Sequence, residues 1–233
     1  MMQLPKFDTI RTLAAERKGG ATALDKLLKQ HKPLSPKQLT AIPDDRYLAM
    51  MTRCVFQAGF NWKVIEHKWA GFEEAFHGFN PRGLAHLPPE QWDSYTTDTR
   101  IVRNATKIRA VLDNAHFVWQ VADTHGSFGN YFSTWPASDQ VGLMAWLGKE
   151  GSRLGGNTAM YFIRFIGKDG FILSADVCAR LRAAGLEIAE HPTSKRDLRK
   201  AQDAFNHWHE ESGLSYTQLS RILGMSIGRN HLE

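Results

Sequence analysis

Between Gly151 and Arg182 the chain reads GSRLGGNTAMYFIRFIGKDGFILSADVCARLR. Several residue types in this stretch are suited to one task, holding an anion. Gly155 and Gly156 lack a Cβ, so they allow positive φ and close approach of another backbone. Asn157 and Thr158 follow at the start of a helical pattern. Unpaired backbone N–H groups at such a start favour an anion, often a phosphate. Beyond the apolar run Phe171, Ile172, Leu173 stands Asp176. It is either the N-cap of the helix VCARLRAAG or a carboxylate at the mouth of a cleft. The plain alternative for the glycine pair is a turn between two helices.

The elements that must position these residues are helical. Ser138–Glu150 has helical apolar spacing at Val141, Met144, Ala145 and Leu147. After the glycines, Asn157 or Thr158 is expected to cap a helix whose apolar residues are Met160, Phe162, Ile163 and Phe165. Earlier, Asp44 or Asp45 is expected to cap a helix reaching about Gln57, with Tyr47, Met50, Met51, Cys54 and Val55 inward. A break at Gly59 precedes a helix capped by Asn61, with Val64, Ile65 and Trp69 on its apolar face. A further helix through IVRNATKIRAVLDNAHFVWQV buries Ile101, Ile108, Val111, Leu112 and Ala115 and carries Arg103 and Lys107 outward. Toward the end, Ser194 begins a helix with Ala204, Phe205 and Trp208 inward. Residues 1–43 read as a peripheral helical arm and 44–233 as the main domain. No strand alternation is strong, so the predicted class is all-α.

Composition limits the alternatives. The chain has 233 residues, enough for one large domain or two packed lobes, with seven Trp and thirteen Phe for the core. No apolar run is long enough to span a membrane and no signal core opens the chain, which predicts a cytoplasmic protein. Two cysteines, Cys54 and Cys178, make neither a disulfide framework nor a four-cysteine zinc site. His207 and His209 are spaced wrongly for a helical metal pair, so no metal is expected. The net charge of +5 permits a polyanionic partner without demanding one.

The order of hairpin, apolar run and Asp resembles the helix-hairpin-helix DNA glycosylases, through Leu154, Gly155, Thr158, Ala159, Asp176, Val177 and Arg180. QAGFNW (Gln57–Trp62) is similar to the QAGxxW turn of the DNA-3-methyladenine glycosylase I group. AFHGFNPRGLAHL, DTRIVRNATKIRAVLDNA and GSFGNYFSTW follow in the same order. The resemblance implies a helix-hairpin-helix glycosylase fold with two helical lobes around a cleft. It implies duplex DNA with a damaged base as partner, no cofactor, a monomer, and a nucleoid-associated enzyme of bacterial type. A flipped base needs stacking surface and hydrogen-bond partners for its edge. The resemblance places Trp62 as the stacking wall, Gln57 and Asn61 as polar edges, and Cys54 beside them. Phe60, at the tip of the turn, is a wedge or a core residue. Gly155, Gly156, Asn157 and Thr158 grip a phosphate, and Arg103 and Lys107 meet others. Asp176 stabilises an oxocarbenium-like sugar.

The sequence lacks the Cys pair with which the 3-methyladenine group binds zinc, keeps at Asp176 a carboxylate that this group tends to lack, and departs from the family pattern at three further positions. Arg153 stands where the hairpin usually has its first glycine, and Asn157 where members that also cut the backbone have a Lys. Cys54 stands where the 3-methyladenine group has a Glu that recognises the base. The expected activity is therefore base removal without strand cleavage, with an alkylated purine such as 3-methyladenine as leading substrate. The alternatives are a glycosylase for a deaminated or bulkier alkylated base, and a non-catalytic lesion binder.

Overall fold

The structure is a computed structural model and describes residues 4–228. Among the described residues there are α-helices, short 3-10 turns and no strands. The helices open with α1 (Phe7–Arg17), α2 (Ala21–Lys29), α3 (Pro36–Thr40), α4 (Asp44–Gln57) and α5 (Trp62–Ala75). Then come α6 (Pro81–Ala85), α7 (Pro89–Thr97), α8 (Ala105–His125), α9 (Phe128–Thr134) and α10 (Gln140–Glu150). The last four are α11 (Gly156–Phe165), α12 (Ala175–Ala183), α13 (Lys195–Ser212) and α14 (Tyr216–Met225). No described helix is long and apolar enough to cross a membrane. The chain forms two compact units, and each uses separated stretches of sequence. Unit one takes the chain up to Leu34, Pro136–Gly142 and the chain from Gly167; unit two takes Ser35–Trp135 and Leu143–Ile166. The boundary expected at residue 43 thus does not separate the units.

Unit two is assembled on α4 and α8, which pack against each other. The expected stripes are present: Tyr47, Met51, Cys54 and Val55 on α4 face Ile108, Val111, Leu112 and Ala115 on α8 in one buried core. Phe56, Phe72, Phe76 and Phe79 extend this core with ring contacts, and Trp69 stacks on Phe72 and Phe79. Three expected core positions are corrected. Val64, Phe165 and Ala145 are exposed, because each lies off the face that its helix turns inward. On α5 that face runs through Ile65, Phe72 and Ala75. Asp44 is not a cap either: Pro43 holds the N-cap position, and Asp44 Oδ1 accepts the Phe128 N–H at 2.8 Å, fastening the start of α9. Desolvation there holds the Asp44 carboxyl above the usual carboxylate range.

Unit one joins α1 and α2 to α12, α13 and α14. The expectation of a peripheral arm is corrected, since Phe7, Ile10, Leu24 and Leu28 are all buried. Phe7 packs on Trp208, whose indole N–H donates to the Pro5 carbonyl at 3.1 Å. The segment before α12 has no regular structure, so side chains satisfy its backbone. The Gln140 amide pairs with both the N–H and the C=O of Phe171, at 2.7 and 2.8 Å. Thr217 and Ser220 on α14 do the same for Gly170 and Ile172. These contacts set where α12, and Asp176 with it, begins.

Candidate active site

The turn between α4 and α5 is held by Lys107, from the first turn of α8. Asn104 caps α8 by accepting the Lys107 N–H, and the Lys107 side chain then runs inward. Its Nζ donates to the Phe56 carbonyl at 3.0 Å and the Ala58 carbonyl at 2.7 Å. Those are carbonyls at the C-terminus of α4, where a cation is favoured. Lys107, expected to meet a phosphate, is therefore corrected to a buried clamp on the QAGFNW turn. Desolvation lowers its pKa, and the nearby Arg153 lowers it further. Arg103 is exposed, and it precedes α8 rather than lying on it, because the cap falls at Asn104.

Downstream of this clamp a pocket of about 330 Å³ opens within unit two. Cys54, Gln57, Ala58 and Gly59 line it from the end of α4 and the turn, and Trp62 from the start of α5. The first turns of α11 complete it with Asn157, Thr158 and Tyr161. Trp62 is 39% exposed and meets Tyr161 and Phe165 edge-on, at 5.3 and 5.8 Å between ring centroids. It is also a wall of an adjoining cavity of about 310 Å³, lined further by Met50, Arg53 and Glu66. Gln57 is only 4% exposed, and its Oε1 is buried without a hydrogen-bond partner among the described residues. Cys54 is equally buried, and desolvation pushes its thiol up to about 12, so it stays protonated and is no nucleophile.

Asn61 caps α5 as expected, its side chain accepting the Lys63 N–H at 3.0 Å, and it is not among the residues lining the pocket. Phe60 is 44% exposed at the tip of the turn, and so is not a core residue.

The hairpin between α10 and α11 has two left-handed residues, Arg153 at φ 58° and Gly156 at φ 55°. Arg153 thus adopts the backbone conformation that a glycine supplies without cost. Gly155, at φ −90°, is the N-cap of α11, so neither Asn157 nor Thr158 caps that helix. Both instead lie in its first turn and reach the pocket. The hairpin is held by Asn114, fully buried on α8, which the sequence reading did not single out. Its amide accepts the Ser152 N–H at 2.7 Å and donates to the Ser152 carbonyl at 3.0 Å. The signal was a polar residue inside the stripe Val111, Ala115, Val118. Tyr161 was missed because it sits beside an apolar stripe and reads as ordinary core.

Asp176 belongs to unit one, the pocket to unit two. Ser174 caps α12 by accepting the Val177 N–H, so Asp176 is not the N-cap and its carboxylate is exposed in the first turn. That carboxylate lies against Gly228, where a Cβ would come within 2.6 Å of Asp176 Oδ1. Arg180 holds the same segment by donating to the hydroxyl and carbonyl of Ser226 at 2.8 and 2.6 Å, and Arg17 donates to the Gly228 carbonyl. Among the described residues no group of three His, Cys, Asp or Glu side chains could hold a metal ion.

Comparison with known proteins places this architecture. Over 59 residues the chain is 30% identical to a DNA-3-methyladenine glycosylase of Haemophilus influenzae, covering 25% of this chain and 32% of that protein. Over 75 residues it is 28% identical to DNA-3-methyladenine glycosylase 1 of Escherichia coli, covering 32% of this chain and 40% of that one. The matched segments span less than half the length of these relatives. Among solved structures, an 8-oxoguanine DNA glycosylase of Methanocaldococcus jannaschii superposes with a TM-score of 0.57 at 13% identity, over 93% of this chain and 91% of that one. That likeness shows the all-helical, helix-hairpin-helix glycosylase fold. The methyladenine glycosylase family model matches residues 40–161, more than half of the chain and the stretch that supplies the whole pocket wall: the chain belongs to the methyladenine glycosylase family.

Proposed function

We propose that this protein is a monofunctional DNA glycosylase acting in base-excision repair. It hydrolyses the N-glycosidic bond of a damaged base, an alkylated purine, flipped out of duplex DNA. The observation that carries the reading is the pocket on the α4–α5 turn, whose aromatic wall and buried amide suit a flat heterocycle. Trp62 stacks on the base, and Gln57 meets its edge. Phe60, exposed at the tip, fills the gap that the base leaves in the duplex. The hairpin Gly155–Thr158 and the exposed Arg103 bind the phosphates. Asp176 acts on the sugar: as the C1′–N bond breaks, its carboxylate stabilises the positive charge and orients the attacking water. The enzyme works as a monomer without a cofactor.

The test is single-turnover base release from duplexes that each carry one alkylated purine. Wild type releases the base, Asp176→Asn slows release by roughly 100-fold or more, and Trp62→Ala slows it by about 10-fold. Duplex binding without release from any substrate would show a lesion binder instead. Because Asn157 replaces the Lys of strand-cutting members, borohydride should trap no covalent adduct with an abasic product.

A further inference from the structure

The pocket differs from a site for a charged ligand in what lines it. Its side chains are Cys54, Gln57, Trp62, Asn157, Thr158 and Tyr161, and none of them is a carboxylate. Cys54 is buried and carries its proton, so it adds no negative charge. The fixed charge beside the pocket is positive: the Lys107 ammonium donates to the carbonyl of Ala58, itself a lining residue, at 2.7 Å. Arg153 on the hairpin lies close enough to Lys107 to lower its pKa. Glu66 lines only the adjoining cavity, where it is exposed to solvent and shares the space with Arg53. Water screens an exposed carboxylate, and a buried ammonium is screened far less.

These charges bear differently on two kinds of alkylated purine. A purine nucleoside alkylated on N3 or N7 is a cation, and its base would meet a lining without a carboxylate and an ammonium nearby, while Asp176 faces the sugar of either kind of nucleoside. A nucleoside alkylated without gaining charge, such as 1,N6-ethenoadenine, meets no such repulsion. Its departure also profits from the same groups. When the C1′–N bond breaks, the electron pair stays on the base, which leaves as an anion and later takes a proton from water. The sugar cation captures water and releases the second proton. The hydroxyls of Thr158 and Tyr161, the side-chain N–H groups of Asn157 and the field of Lys107 all favour negative charge on the base at that moment.

We infer that the pocket on the α4–α5 turn selects uncharged modified purines and discriminates against cationic ones, with the absence of a carboxylate at Cys54 and Gln57 as the determinant. The inference rests on the glycosylase reading above.

The experiment uses the full-length protein on duplexes containing 1,N6-ethenoadenine or hypoxanthine, and on duplexes containing N7-methylguanine or N3-methyladenine. Each enzymatic rate is divided by the spontaneous rate of loss of the same base, since cationic bases leave readily by themselves. The expected enhancement is larger for the uncharged bases by about 10-fold or more. Gln57→Glu and Cys54→Glu, checked for folding by thermal melting, should each reverse part of that preference. Gln57→Glu changes the side chain least and serves alone if Cys54→Glu does not fold. Equal or larger enhancement for the cationic bases in the wild type, or a preference unmoved by the folded carboxylate variants, would overturn the inference and leave the glycosylase standing. No release of any base would overturn both.

Discussion

Lys107 shows how much a residue's meaning depends on where its end group goes. Its charge suggested a phosphate contact, yet its Nζ is bonded to the carbonyls of Phe56 and Ala58. Lys107→Met would leave two carbonyls without their donor, and urea unfolding should show a loss of about 2–4 kcal/mol. Arg103 is an exposed cation of that block, and Arg103→Ala should reduce the salt slope of duplex binding by about one. Cys54 is the converse case, a reactive atom made inert by burial. Desolvation raises its pKa to about 12. At pH 8 native protein should therefore react with iodoacetamide at least ~10-fold more slowly at Cys54 than protein unfolded in urea. Equal rates, followed by peptide mass spectrometry, would show the thiol to be accessible and ionisable.

At the scale of elements, the hairpin is the informative piece. Arg153 is held at φ 58°, a region that costs a side-chain-bearing residue about 1–2 kcal/mol. Arg153→Gly should stabilise the fold by about 0.5–1 kcal/mol after the added chain entropy of glycine is counted. The hairpin's other restraint is the pair of hydrogen bonds from Asn114 to Ser152. Asn114→Leu keeps the branched shape of the buried side chain but removes both bonds, and should cost about 2–3 kcal/mol. On the proposed function, duplex affinity should fall with it, since the hairpin proposed to grip the strand loses its anchor. If duplex affinity is unchanged in a folded Asn114→Leu protein, the hairpin is not the strand contact.

At the scale of the whole molecule, the N-terminal helices belong to a core. Phe7 and Ile10 of α1 are buried in unit one, and Phe7 packs on Trp208. Removing residues 1–20 would expose Trp208 and the apolar faces of α13 and α14. The expected results are a red-shifted tryptophan emission and a broadened thermal transition. A truncated protein that melts like the full chain would mean that α1 is dispensable. On the proposed function the net charge of +5 also acts at this scale: duplex binding should weaken steeply as salt rises.

The sequence by itself determined the all-helical class, the principal helices, the glycine hairpin and the family blocks. Each of these rests on local signals: apolar periodicity, capping residues such as Asn61 and Ser194, and residues that only a turn accepts. It also determined that Cys54 and Trp62 share one neighbourhood, because the α4–α5 turn that joins them is short. The tertiary structure decided everything that needed partners distant in the chain. It put α1 into the core with Trp208, turned Lys107 inward, and set Asn114 against the hairpin. It gave Asp176's capping role to Ser174, while Asn157 and Thr158 went from cap to pocket wall. Side chains such as Lys and Asn have donors enough for phosphate, water or backbone alike. Which of these they meet is set by the unpaired carbonyls and amides that folding brings within reach, and sequence spacing does not encode that.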